Sequence, residues 1–282
     1  MNADSRKDPL VSVVGQEWQP PLIDPDIPHP VRMWDYMIGG KDHYESDRVA
    51  VDYLATLWPN IFLSARAAEA FAERAATWIS DGKGLTQFLQ LGCAIPLKTP
   101  LDGIVHDHAP GAPYVYVTDD PITAVHARAV LAARARGPMH IELGEFRDPA
   151  PILASPRVRE LLDFSQPMGV MLVGMVDYTL STSRVRQALL DIMEALAPGS
   201  LVVVLHHLEF PPEIGRAVLG AMGENPAQFR PRSEQEVAAL FEDFEFVPPG
   251  LVRATEWMPD GGGPGHDLTE RCDKMGGVLI KR

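Results

Sequence analysis

Three neighbouring stretches decide the fold: Met168-Gly-Val-Met-Leu-Val-Gly-Met-Val176, Arg184-Val-Arg-Gln-Ala-Leu-Leu-Asp-Ile-Met-Glu-Ala-Leu196 and Leu201-Val-Val-Val-Leu-His-His-Leu208. The first and third are short and almost wholly apolar, the pattern of strands covered on both faces of a sheet. The middle one places Val185, Leu189, Ile192 and Leu196 on a single helical face. Pro198-Gly199 turns the chain between helix and strand. A strand, an amphipathic helix and a second buried strand make a parallel unit with a right-handed crossover.

The same alternation extends upstream. Gln87–Leu91, Tyr114–Val117 and Met139–Leu143 read as strands, with a helix near Pro100–His108 and an Ala-rich helix from Pro121 to about Arg136 between them. A Pro-punctuated helical segment runs on to Leu162. Ser46–Leu57 and Ser64–Ile79 have helical periodicity, and Asp81-Gly82-Lys83-Gly84 stops the second. Gly250–Glu256 and Val278–Ile280 are expected to form an antiparallel pair. The expected organisation is an extended arm over 1–30, a helical cap over 31–84 and an α/β core over 85–282.

Composition narrows the class. The chain has 282 residues, 46% of them hydrophobic, enough for a full core, and a formal net charge of −13. That acidity disfavours a nucleic-acid surface, which needs clustered Lys and Arg. Two cysteines, Cys93 and Cys272, make no disulfide framework and have no metal-ligand spacing. His106-Asp107-His108 lacks further ligands, so no metal is expected. The opening MNADSRKDPL has no signal-peptide apolar run, and no stretch approaches the ~18 apolar residues of a membrane span, so a cytoplasmic location is expected. Neither a G-x-S-x-G elbow nor a P-loop is present.

In an open parallel sheet, ligands bind beyond the C-terminal strand ends, where the strand order reverses. Four segments qualify. Gly92-Cys93-Ala94 follows the first strand, and its glycine allows close backbone approach; Cys93 is also a candidate nucleophile, or else a small filler. Asp119 and Asp120 end the second strand and suit ribose hydroxyls, although Asp120 before Pro121 is equally a helix cap. Glu145 and Phe146 follow the third, an acceptor and a ring suited to adenine, against the alternative of a solvated loop with an Arg147–Asp148 pair. Asp177 and Tyr178 follow the fourth, with helix capping as the rival reading. His206-His207 ends the fifth strand, where alternation sends one ring to the cleft and the other away.

The N-terminal run Pro28-His-Pro-Val-Arg-Met-Trp-Asp-Tyr-Met-Ile-Gly-Gly-Lys-Asp-His-Tyr44, followed by Asp47-Arg48, is long and unusual. It resembles the signature of a family of S-adenosylmethionine-dependent methyltransferases once catalogued as a domain of unknown function. The similarity continues through Arg66, Tyr114–Val117, Asp120-Pro121, Arg147-Asp148-Pro149, Leu196–Ser200 and Pro249–Val252. The resemblance implies a Rossmann-like class I methyltransferase fold: a mostly parallel sheet, helices on both faces and an antiparallel last strand. It implies S-adenosylmethionine as cofactor, with Tyr36, Gly39, Gly40, Lys41 and Asp42 lining or covering the cleft, Gly92 near the methionine part and Glu145 facing adenine. The sequence departs from the family's first loop at Gln90 and Ala94, and Thr118 stands where an acid is expected.

The expected function is methyl transfer to a small molecule of secondary metabolism, with Asp177 or His206 as base. A repurposed enzyme using Asp177, Tyr178 and His206 for cyclisation, elimination or rearrangement is a second reading, and a non-catalytic binding protein a third. A small-molecule substrate, no nucleic acid, no membrane and a possible homodimer complete the expectations.

Overall fold

The computed structural model describes residues 24–92, 100–119, 121–132, 136–179, 181–221, 229–257 and 272–282, with the backbone alone at Ile122, His126, Ala129, Val130, Ala132 and Tyr178. Within these residues the strands are β1 (Phe88–Leu91), β2 (Tyr114–Thr118), β3 (Met139–Leu143), β4 (Gly169–Val173), β5 (Leu201–His207), β6 (Val252–Arg253) and β7 (Lys274–Ile280). They join in the order β3-β2-β1-β4-β5-β7-β6. The first five are parallel, β7 is antiparallel to β5, and β6 pairs antiparallel with β7. This is the Rossmann-like class I methyltransferase arrangement, and its order reverses between β1 and β4.

Ten α-helices are described: α1 (Pro30–Ile38), α2 (Glu45–Leu57), α3 (Ile61–Thr77), α4 (Leu101–His108), α5 (Pro121–Ala132), α6 (Ala150–Ala154), α7 (Pro156–Leu161), α8 (Thr182–Ala195), α9 (Pro212–Ala221) and α10 (Glu234–Leu240). Strand alternation divides the core in two. Phe88, Tyr114, Tyr116, Leu201, Val203 and Leu205 face α3, α4 and α5. Leu89, Leu91, Val115, Val117, Val202 and Val204 face α7, α8 and α10. A third apolar cluster, Met33, Val51, Leu54 and Ile61, joins α1, α2 and the start of α3 to Ala217 and Val218 of α9. α3 therefore belongs mainly to the sheet's own core and meets the cover, formed by α1, α2 and α9, at its first turn.

Several expected boundaries move. The strand read as Met168–Val176 ends at Val173, because Gly174 takes φ 70 and the chain enters a single 3-10 turn, Val176–Tyr178. The pair expected from Gly250–Glu256 and Val278–Ile280 is a two-residue strand on a longer β7, whose main partner is β5. α8 starts at Thr182, capped by Ser181, which accepts the Arg184 N–H. No described helix is long and apolar enough to cross a membrane.

Candidate functional site

The C-terminal ends of the strands bring Gly92, Asp119, Gly144, Gly174 and His207 to one edge of the sheet. Gly92 ends β1 at φ 94, and its N–H donates to the Val117 carbonyl. Beneath it lies Gln90, 6% exposed. The Gln90 Nε2 donates to the Gly92 carbonyl at 3.0 Å, and its Oε1 accepts the Tyr114 hydroxyl at 2.7 Å. An acid at position 90 has no donor for the Gly92 carbonyl, so the amide is matched to this turn. Above Gly92 stands Met175, whose Cγ and Sδ lie 2.3 Å from where a Cβ at 92 would be. Asp119, at the end of β2, is exposed. Cys93 and Asp120 lie outside the described residues.

The expected adenine wall is corrected in part. Phe146 is 4% exposed and packs into the second core with Leu89 and Ile152, so its ring is not offered to a ligand. Glu145 is paired with Arg147 in the turn that closes on Asp148.

The expected acid/base groups are corrected as well. Asp177 and His206 are both fully buried, with Asp177 Oδ1 2.8 Å from His206 Nδ1. His206 Nε2 meets Arg232 Nη1 at 2.7 Å. A guanidinium only donates, so Nε2 carries the lone pair and the proton sits on Nδ1, facing Asp177 and the His207 carbonyl. Arg232, itself fully buried, also donates to the Thr179 carbonyl at 2.7 Å and the Val176 carbonyl at 3.4 Å. Burial alone would raise the Asp177 carboxyl, but its contacts with His206 and the His207 N–H hold it below the usual carboxylate range. Asp177, His206 and Arg232 thus form a buried brace that sets the loop after β4, with Asp177 Oδ2 and Arg232 Nε left without a hydrogen-bond partner among the described residues. No substrate atom can reach His206. The Tyr178 side chain lies outside the described set.

His207 is the ring that faces the other way. It is partly exposed, and its Nδ1 lies 3.1 Å from Lys274 Nζ. Lys274, 1% exposed, also donates to Ser64 Oγ of α3 at 2.7 Å, lies 3.6 Å from Asp273 and sits over the Trp34 ring of α1 at 5.8 Å. An ammonium has only donors, so His207 Nδ1 accepts and Nε2 carries the proton. No described residue bonds that Nε2. Phe229 and Phe210 flank the ring with centroids at 5.5 and 6.1 Å, and Trp58 packs on Phe210. Burial, then the Lys274 cation, lowers His207 to about 4, so it is neutral at pH 7.

The signature turn is built around Asp35, which is 8% exposed. Gly39 caps α1 at φ 82, and the Gly40 N–H donates to the Asp35 carbonyl. The Asp35 carboxylate accepts the Asp42 N–H at 2.7 Å and sits 3.0 Å from His43 Nδ1. Asp47, fully buried, accepts from Arg32 Nε and from the N–H groups of His29 and Tyr44. Burial would raise the Asp47 carboxyl, but these donors hold it below the usual carboxylate range. Tyr36 packs edge-on against Phe62 of α3 and bonds Asp52, while Lys41 is exposed. No hydrogen bond or ring contact joins this turn to Gly92 among the described residues. Most of the signature therefore shapes the α1–α2 corner of the cover.

Arg232, Lys274, Ser64 and His207 are missing from the residues singled out in the sequence, apart from the alternation that left His207 open. Among the described residues no group of three or more His, Cys, Asp or Glu could hold a metal.

The chain's similarities agree with this architecture. A crystal structure from Thermobifida fusca YX, provisionally described as a methyltransferase, is 32% identical with a TM-score of 0.78, covering 95% of this chain and all (100%) of that one. A DUF574 family protein from Streptomyces avermitilis MA-4680 is 30% identical with a TM-score of 0.81, covering 93% of this chain and 100% of that one. No curated protein matches. The sequence profile described as S-adenosyl methyltransferase matches residues 16–282, so the chain belongs to the S-adenosyl methyltransferase family.

Proposed function

We propose that the protein transfers a methyl group from S-adenosylmethionine to a small molecule of secondary metabolism in the cytoplasm. The observation that carries the reading is the Gly92 turn at the switch point between β1 and β4, where backbone can approach a ligand closely. The residues present fit the cofactor: Gly92 carries no side chain of its own and only the unbranched Met175 thioether lies over it, and Asp119 offers an exposed carboxylate to hydroxyl groups at the end of β2. When bound, S-adenosylmethionine supplies an electrophilic methyl on a sulfonium, suited to in-line displacement.

The chain's own part is alignment and exclusion of water. Gln90 holds the Gly92 carbonyl and so the shape of the turn. The Arg232–His206–Asp177 brace holds the loop after β4. His207, its proton directed to Nε2 by Lys274, presents an N–H to one lone pair of an acceptor oxygen, leaving another free for attack. As a donor it orients the acceptor rather than deprotonating it, which favours a substrate that is already nucleophilic.

Titration calorimetry of the full chain with S-adenosylhomocysteine tests this reading. One site per chain is expected, weakened by Asp119→Ala; no heat at high micromolar ligand would overturn it. The non-methylating alternative draws on Gln90 and on Met175 over Gly92. It predicts turnover indifferent to added S-adenosylmethionine.

A further inference from the structure

We propose that Met175 is an internal occupant of the Gly92 notch, and that an S-adenosyl ligand binds only after this side chain swings aside. The inference rests on the cofactor reading above. A Cβ built on Gly92 would stand 2.3 Å from Met175 Cγ and Sδ and 3.2 Å from Cε, so the thioether lies along the open face of the glycine. Gly174, at φ 70 with nothing within 4 Å of its own missing Cβ, gives the backbone the turn that sends Met175 back over β1. The glycine needed for close approach is thus covered by a side chain of the same protein.

One of the two must yield, and the structure shows which. The Gly92 carbonyl is held by Gln90, and its N–H is bonded to Val117 across the sheet, so the backbone is pinned from both sides. Met175 is half-buried, edged onto the second core, and no hydrogen bond anchors its side chain. An unbranched thioether has several low-energy rotamers and repacks readily. The occupied form lowers apparent affinity by the fraction of molecules in which the notch is clear.

The test compares the full-length wild type, Met175→Ala and Met175→Leu by calorimetry with S-adenosylhomocysteine, with circular dichroism checking the fold of each. Met175→Ala is expected to bind about tenfold more tightly, and Met175→Leu, which keeps the bulk, no more tightly than wild type. In wild-type protein carrying 13C-methyl methionine, the Met175 ε-methyl resonance is expected to shift on ligand addition. Unchanged or weaker binding by Met175→Ala would make Met175 a wall of the site and overturn the proposal. So would a Met175→Leu variant as tight as the alanine. Absence of binding by all three folded proteins would overturn the cofactor reading itself, and the occupant with it.

Discussion

The two signature glycines, adjacent in sequence, are needed for different reasons, and alanine at each separates them. At Gly39 the backbone is left-handed, φ 82, so Gly39→Ala pays a conformational cost of about 1 kcal/mol. Gly40 has no positive φ; its constraint is space. An ideal Cβ there would lie 1.9 Å from Asp35 Oδ1, 2.3 Å from Cγ and 2.6 Å from Oδ2. The carboxylate must move by more than an ångström, loosening its contacts with the Asp42 N–H and His43. Hydrogen bonds to a charged group contribute about 1.5–3 kcal/mol each, and partial resolvation at this surface turn leaves a net loss of about 2–4 kcal/mol for Gly40→Ala. Urea unfolding followed by circular dichroism measures both variants. At about 2–4 °C per kcal/mol, Gly40→Ala should melt roughly 4–16 °C lower than wild type. In an Asp35→Ala background the second substitution should add little, because the group it displaces is gone. Equal costs for the two alanines, or additivity with Asp35→Ala, would refute the claim that Asp35 organises the turn.

Other outcomes follow from the buried contacts. Arg232→Met leaves His206 Nε2 and the Thr179 carbonyl without donors and should lower stability by about 3 kcal/mol in urea titrations; a loss under about 1 kcal/mol would remove the brace. Gln90→Glu sets a carboxylate against the Gly92 carbonyl and should cost about 2 kcal/mol at pH 7, less as the pH falls and the acid protonates. Two groups oppose each other between pH 4.5 and 6.5. His207 is lowered to about 4, so the unfolded chain binds its proton first and stability rises with pH from about 4 to 6.5. Glu69 is raised to about 7, by burial and by Glu73 against the opposing Trp34 hydrogen bond, so its contribution is full below about 4.5 and lost as pH rises through 7. The melting temperature of wild type should be nearly level across this window, whereas Glu69→Gln should gain stability with rising pH; parallel curves would contradict the assignment.

Much of the fold was legible because strands covered on both faces are bound to be apolar. Met139–Leu143 is matched to the residue, and the helix–strand alternation was enough to imply the parallel sheet. α9 escaped notice because Gly215 and Gly220 dilute its apolar face, and α10 because it is short, although Ser233 and Glu236 form a capping box readable in sequence. The site was harder for a physical reason. A charge such as Arg232 or Lys274 reads as surface, and only the fold reveals that each is sealed in by carbonyls, hydroxyls and rings. Alternation predicted that His206 and His207 part company; which one meets the cleft depends on α3 and β7, which bring Ser64 and Lys274 to one side, and on Arg232 on the other. Phe146 looked like a ring for adenine because sequence gives its position at a strand end but not its direction.

The claim at the centre of this account is that the Gly92 turn at the β1–β4 switch point holds an S-adenosyl ligand. A crystal structure of the full chain grown with S-adenosylhomocysteine tests it directly. The account predicts ligand density against Gly92, the ribose hydroxyls on Asp119 and Met175 turned away from the glycine. Density in the hollow at the opposite edge of the sheet, between Lys83, Gln87, Pro113 and Asp163, would contradict it, as would a ligand-free cleft at saturating concentration.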